Sequence, residues 1–221
     1  IVDLGGPESD AAATLAALAD ALGAPKAGST AASSAPEVLP GPLNAYGLGA
    51  ALARRMPADA IFVDDGITSA VSVYALTAGA APHSWLCNVG GAIGSGMPNA
   101  IGAAVAAPAR KVICLTGDGS ALYTVQSLWT MARENLDVLT ILCANRAYRI
   151  LNLEMARGGA APLTPATAGL LSLENPVIDW VKLAEAQGVP AMRCDTSEGF
   201  DAALAEMLTR AGPKLIEAVV M

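Results

Sequence analysis

The chain has 221 residues and a formal net charge of −7, with 13 Lys and Arg against 20 Asp and Glu. A nucleic-acid binder usually carries a basic face, and none is visible here. The composition is 53% hydrophobic but only 4% aromatic, so the core has to be built from Ala, Val, Leu and Ile. The length suits one domain of about 150–200 residues plus a remnant.

Four cysteines, Cys87, Cys114, Cys143 and Cys194, lack CxxC or zinc-ligand spacing. They read as buried thiols in a reducing cytoplasm. The chain starts on Ile1 with no basic region ahead of an apolar stretch. The expectation is no signal peptide, and a piece of a longer polypeptide.

In chain order, residues 1–4 read as a short strand. Residues 10–22 are helical by their Ala and Leu content, stopped by Gly23 and Pro25. The small-residue run 27–36, AGSTAASSAP, reads as a linker. Residues 1–42 are thus expected to be the remnant of a preceding domain with its linker, and 43–221 the main domain. In that domain helices are predicted at 43–56, 68–77, 98–107, 121–134, 147–156, 178–187 and 199–209. Strands are predicted at 60–63, 85–88, 111–115, 138–144 and 214–220, and 158–173 reads as an irregular loop. Alternating helices and apolar, β-branched strands predict an α/β fold, a doubly wound parallel sheet with helices on both faces.

From Gly66 to Ala109 there is no Asp, Glu, Lys or Arg, a run of 44 residues. Its glycines, prolines, Asn88 and His83 break any apolar run of about 18 residues, so no membrane span is predicted. The segment reads instead as buried on several sides, partly by another subunit or domain.

In such sheets ligands bind beyond the carboxyl ends of the strands. The polar residues there are Asp64-Asp65-Gly66-Ile67-Thr68, Asn88 to Gly94, Gly117-Asp118-Gly119-Ser120 and Asn145-Arg146-Ala147-Tyr148. Gly117 and Gly119 permit a sharp turn and a close backbone approach to a ligand. Gly119 and Ser120 open a helix, where free N–H groups favour a phosphate. Asp118 would repel that anion unless a cation lay between. One carboxylate, one Asn oxygen and one backbone carbonyl, with phosphate oxygens and water, form a hard-oxygen set suited to Mg²⁺. The alternative is local: Asp118 caps its helix and Asn145 closes a turn. GLGAAL at 47–52 lacks a third glycine and lies in a predicted helix, so it is weak as a dinucleotide fingerprint for NAD.

The stretch from Gly117 to Asn145 resembles the thiamine-diphosphate motif, which begins GDG and ends about 27 residues later in Asn-Asn. GGAIGSGMPNAIG, 90–102, is similar to the glycine-rich segment that precedes it in acetolactate synthase, benzoylformate decarboxylase and related 2-keto acid enzymes. The resemblance covers 43–221 and implies a thiamine diphosphate- and Mg²⁺-binding domain. It implies Mg²⁺ ligation by the side chains of Asp118 and Asn145 and the carbonyl of Ala147. Gly117, Gly119, Ser120 and Tyr148 would hold the diphosphate, helped by Thr68 and the Ile67 backbone. Gly91 would contact the aminopyrimidine, and Ile93 would bend the cofactor so that its 4′-amino group nears the thiazolium C2.

Two departures stand out. Ala144 replaces the first Asn of the pair, and Arg146 stands where relatives often have Gly or Asp. The family's activating Glu belongs to a pyrimidine-binding domain that this sequence lacks. No catalytic residue is therefore assigned to this chain, which is expected to be inactive alone. The implied partners are that domain, from the same protein or another chain, a homodimer or homotetramer, and a small 2-keto acid. FAD stays open as a second cofactor without support from any motif here.

Decarboxylation and carboligation are both open, as is a non-catalytic assembly domain keeping the fold. His83 reads as structural, and Trp85, Trp129 and Trp180 as core. Ile150 and Leu151 read as core, although the resemblance puts them near the pocket wall. Asp64 and Asp65 read as caps for the helix at Thr68.

Overall fold

The computed structural model describes residues 3–25, 35–159 and 164–220. The chain divides into two compact units, residues 1–33 and 34–221. In the first, α1 (Ala11–Ala21) is capped by Asp10, whose side chain accepts from the Ala13 N–H. No residue of α1 is buried. Asp3 and Leu4 are not in a strand, and Ile1 and Val2 lie outside the described residues. Most of the predicted linker also lies outside them, and Ala35 and Pro36 have no regular structure.

The second unit is built on a six-stranded sheet in the order β2-β1-β3-β4-β6-β5. Its strands are β1 (Ile61–Asp65), β2 (Ser84–Cys87), β3 (Val112–Gly117), β4 (Val138–Ala144), β5 (Ala191–Cys194) and β6 (Lys214–Val219). Every adjacent pair is parallel. β3 and β4 are buried along almost their whole length, as continuous apolar strands between two helical layers should be.

Successive side chains point to opposite faces. Ile113 and Leu115 of β3 join Phe62, Leu139, Ile141 and Ile216 in one core. Val112 and Cys114 join Ile61, Val63, Val138, Leu142 and Leu215 in the other. The first core is covered by α2 (Ala45–Arg55), α3 (Val71–Thr77) and α10 (Ser197–Thr209), through Leu48, Leu52, Val73, Phe200, Leu204 and Met207. The second is covered by α4 (Gly96–Ala106), α6 (Ser127–Arg133) and α9 (Trp180–Ala186), through Met97, Ala100, Leu128, Met131, Trp180 and Ala184. The doubly wound α/β fold predicted from the sequence is the fold found.

Several local expectations are corrected. The helix predicted at 121–134 begins earlier and breaks at Val125-Gln126, giving α5 (Asp118–Thr124) and α6. Residues 67–70 form turns rather than the start of a helix, and α3 begins at Val71. The predicted loop 158–173 contains α8 (Pro165–Leu171), capped by the Thr164 side chain with Pro at its start. α7 spans Arg149–Arg157. β5 is additional to the predicted strands, because an edge strand with Arg193 and no β-branched residue gives little signal.

Of the residues read as core, Trp180 is buried, but Trp129 is 52% exposed and stacks under the Arg133 guanidinium. Cys87 is exposed, against the expectation of four buried thiols; all four cysteines are free. The charge-free segment is buried only in part within this chain: Val73, Met97 and Ala100 are core residues, but other apolar positions are open. Val71, Tyr74, Val89 and Val105 are each more than 60% exposed. Among the described residues no helix is long and apolar enough to cross a membrane.

The GLGAAL stretch serves packing. An ideal Cβ on Gly49 would come within 2.6 Å of Leu76 Cδ1 and 3.3 Å of the Val73 backbone, so the glycine lets α2 lie close on α3. Gly49→Val is expected to lower unfolding free energy by about 1–3 kcal/mol. A Cβ on Gly102 in α4 meets nothing within 4 Å, and Gly102→Ala is expected to raise it by about 0.5–1 kcal/mol. Urea denaturation of the two variants checks both signs.

Candidate functional site

The strand order fixes where a crevice opens. From β1 the chain moves outward to β2, then returns past β1 to β3, so the connections after β1 and β3 run to opposite sides. Connections that part in this way leave a gap beyond the carboxyl ends of the two strands. A cavity of about 330 Å³ lies there, within the size range of small-molecule sites.

All ten predicted site residues line this cavity: Thr68, Gly91, Ile93, Gly117, Asp118, Gly119, Ser120, Asn145, Ala147 and Tyr148. Ile67, Ile150 and Leu151 line it too. Asp65 and Asn88, noted in the sequence only as polar residues at strand ends, line it as well, and Arg149 is a wall residue that sequence reasoning missed. Arg149 is the one cation in the lining, beside Asp65 and Asp118. His83 is not part of it; its Nδ1 lies 2.8 Å from the Ala81 carbonyl and its ring leans on Trp85.

Asp118 follows β3 directly and opens α5. Its side chain is 2% exposed. The Gly119 N–H donates to Oδ1 at 2.9 Å, and the Arg146 N–H donates to Oδ2 at 2.6 Å. The second bond joins the ends of β3 and β4. It requires Arg146 to turn its backbone into the left-handed region, with φ of +57°. Ile67 on the opposite rim is also left-handed, with φ of +45°. After β4, Asn145 Oδ1 accepts the Ala147 N–H at 3.0 Å. Ala147 faces Ser172 in an isolated antiparallel bridge, flanked by bonds from Tyr148 N–H to Leu171 and Leu173 N–H to Arg146. Ala147 is the non-bonded member of that pairing, so its carbonyl points away from the Ser172 segment.

The local alternative is therefore partly real: Asn145 closes a turn, and Asp118 braces backbone N–H groups. Each of their oxygens nevertheless has a further lone pair. Burial pushes the Asp118 carboxyl above the usual carboxylate range, and the Arg146 and Gly119 N–H groups only partly oppose it. Burial also raises Asp64 and Asp65. No cationic side chain bonds to Asp118 in the described structure. One buried carboxylate, one amide oxygen and one carbonyl form a donor set that fits a hard divalent cation with open positions. Among the described residues there is no cluster of three or more His, Cys, Asp or Glu to hold a softer metal.

The Gly119 side of the cavity is shaped by close packing. A Cβ on Gly119 would sit 2.6 Å from Tyr148 Cε1, so the Tyr148 ring lies directly on the glycine. Gly90 and Gly91 both have φ of +66°, and a Cβ on either would meet nothing within 4 Å. This stretch of backbone is thus open to a ligand. The expected cap role of Asp65 is corrected. There is no helix at Thr68 to cap, and Asp65 points instead to Asn88, Gly96 and Thr116. Asp64 accepts the Gly66 N–H at 3.0 Å.

An open parallel sheet with a glycine-rich crevice at its switch point defines a phosphate-ligand α/β domain. Residues 64–218 match the family described as thiamine pyrophosphate enzyme, C-terminal TPP binding domain. The chain is 46% identical over 211 residues to the Mycobacterium tuberculosis protein IlvX, named provisionally as an acetolactate synthase large subunit; this covers 95% of the chain and 41% of that protein. It is 32% identical over 192 residues to a Pseudomonas aeruginosa benzoylformate decarboxylase, covering 82% of the chain and 35% of that enzyme. Among solved structures, a thiamine diphosphate-dependent 4-hydroxybenzoylformate decarboxylase of Rhodococcus jostii RHA1 superposes with a TM-score of 0.74 at 29% identity, covering 94% of the chain and 39% of that structure. The chain belongs to the thiamine pyrophosphate enzyme family and comprises its C-terminal TPP-binding domain. It spans about two fifths of the length of these relatives.

Asp118 also sets a pH test. A carboxyl whose folded-state pKa lies above its unfolded value gives stability that is full below the unfolded pKa and lost as pH rises through the folded one. Without a divalent cation, the Asp118 contribution to the urea midpoint is expected to fall as pH rises from about 4 towards 7, opposite in sign to that of Asp137 and Asp201, whose carboxyls are lowered by their cationic partners. Asp118→Asn is expected to remove that contribution, so that the midpoint difference between the variant and the unaltered protein changes with pH.

Proposed function

We propose that this chain is the diphosphate-binding portion of a thiamine diphosphate- and Mg²⁺-dependent enzyme acting on small 2-keto acids, of the acetolactate synthase type. The observation that carries this reading is the convergence of the ten motif residues on one switch-point cavity. Asp118, Asn145 and the Ala147 carbonyl hold Mg²⁺. Gly117, Gly119, Ser120, Tyr148 and Thr68 hold the diphosphate, the Tyr148 ring closing over Gly119 against water. Gly91 meets the aminopyrimidine through its exposed backbone. Ile93 and the Ile150–Leu151 wall supply apolar surface to the bent cofactor and the substrate.

Bound thiamine diphosphate supplies the carbon nucleophile and electron sink for loss of CO₂ from a 2-keto acid. This chain's residues bind and orient it. The glutamate that activates the aminopyrimidine is supplied by a pyrimidine-binding domain, in the same protein or a second chain. The active species is accordingly a homodimer or homotetramer, in the cytoplasm, and residues 43–221 are one domain of it. The exposed apolar positions of the charge-free segment, such as Val71, Tyr74 and Val89, support a partner there. The second reading is a benzoylformate-type decarboxylase, favoured by the 94% coverage of the chain on the Rhodococcus decarboxylase.

In isothermal calorimetry of the full-length protein, thiamine diphosphate with Mg²⁺ is expected to bind, and EDTA to abolish binding. Asp118→Ala is expected to weaken it by about 100-fold or more, in line with loss of a metal ligand's charge. Binding indifferent to both changes overturns the reading. Product analysis with pyruvate and with benzoylformate then separates carboligation from simple decarboxylation: acetolactate is expected from the first, and benzaldehyde from the second reading.

A further inference from the structure

Asp65 is the last residue of β1, 1% exposed, and its carboxylate faces the glycine-rich turn at 88–96. The Asn88 side-chain amide donates to Oδ1 at 2.9 Å. The Gly96 N–H donates to Oδ2 at 3.2 Å, and the Thr116 hydroxyl lies at 3.5 Å from the same oxygen. The Gly94 backbone N–H, nearby, also helps to hold the carboxyl down against its burial. The Asn88 amide spends its other proton on the Ala92 carbonyl at 3.0 Å.

The turn has little else to hold it. Residues 88–95 belong to no helix or strand. Its own backbone bonds, Ala92 to Val89 at 3.4 Å and Ser95 to Ala92 at 3.2 Å, are long. Three of its glycines, Gly90, Gly91 and Gly94, have φ between +66° and +81°, a conformation that the chain adopts as readily as others at glycine and does not lock. From outside, Thr124 Oγ1 bonds the Gly94 carbonyl at 2.8 Å, which ties the turn to α5. Fit is as tight on the Asp65 side, where a Cβ on Gly96 would lie 2.7 Å from Asp65 Cβ.

We propose that Asp65 is a positioning residue: its carboxylate clamps the 88–96 turn onto the ends of β1 and β3, and thereby sets where Gly91 and Ile93 face the cavity. It makes no demand on the ligand itself. A carboxylate has about four acceptor positions, and Asn88, Gly96 and Thr116, all within the protein, take three of them. This rests on the functional reading above, in which Gly91 and Ile93 meet the pyrimidine and thiazolium half of the cofactor while Gly117 to Ser120 meet the diphosphate. Asp65 therefore acts on one half of the ligand alone.

The test compares two ligands in the full-length protein by calorimetry: thiamine diphosphate with Mg²⁺, and inorganic diphosphate with Mg²⁺. Asp65→Asn puts an N–H group against the donors of the turn. It is expected to weaken thiamine diphosphate by about tenfold or more, as for loss of a buried charged hydrogen bond. Inorganic diphosphate is expected to stay within about twofold. Asn88→Ala removes the clamp from the turn side and should show the same selectivity, which keeps the test open if Asp65→Asn fails to fold. The double variant should lose no more than Asp65→Asn, since both act through one contact. Equal weakening of both ligands, or no weakening of either, overturns the proposal. Failure of the unaltered protein to bind thiamine diphosphate at all would overturn the functional reading, and with it this one.

Discussion

The hydrogen bond from the Arg146 N–H to Asp118, 2.6 Å long, ties the end of β4 to the end of β3 where the ladder has stopped. It fixes the Asp118 carboxylate in a buried place with no cationic side chain bonded to it. A buried charge of that kind is costly unless paired. The site is thus arranged around a deficit of positive charge. Burial and backbone donors pull the carboxyl in opposite directions, and burial prevails. A divalent cation at that carboxylate would reverse the balance. The other features follow: Asn145 turned back on Ala147, the Ala147 carbonyl outside its pairing, and Tyr148 lying flat on Gly119.

The sheet order explains why residues so far apart in the chain meet. β1 and β3 are neighbours, yet β2 intervenes between them in sequence. The turn after β2 therefore folds back across the end of β1, and this is where Asp65 and Asn88 meet. Two short segments after β3 and β4 come from the other side. The cavity is a junction of four strand ends, each from a different parallel strand, on a support whose two cores are filled mainly by small and branched aliphatic side chains.

Much of this was legible because it is local. Gly117 to Asn145 is one strand–helix–strand unit, and the spacing between Asp118 and Asn145 carries its own geometry. The β-branched runs of β3 and β4 mark their positions directly. What escaped depends on contacts distant in sequence. Asp64 and Asp65 are adjacent in a strand, so they point to opposite faces, and only the position of the 88–96 turn decides which one meets the cavity. The break between α5 and α6, at Val125 and Gln126, has no proline or glycine to announce it. α8 escaped because Pro-Ala-Thr-Ala-Gly-Leu-Leu has low helix propensity, and only its Thr164 cap with Pro165 signals it. Exposure of part of the charge-free segment could not be read from composition, since apolar residues at the surface and in a core are the same residue types.

Ile67 and Arg146 hold strain in their backbones. Both are non-glycine residues in the left-handed region, one on either side of Asp118. Such conformations cost of order 1–3 kcal/mol each, against a total stability of about 5–15 kcal/mol for a typical domain. A β-branched residue such as Ile67 sits at the upper end, and it is still 42% exposed, so packing gives back little. The two cores have to supply that energy, while the rim that carries it holds on by few contacts. Strain at these two positions lowers the free energy of opening the rim relative to that of opening β3 and β4.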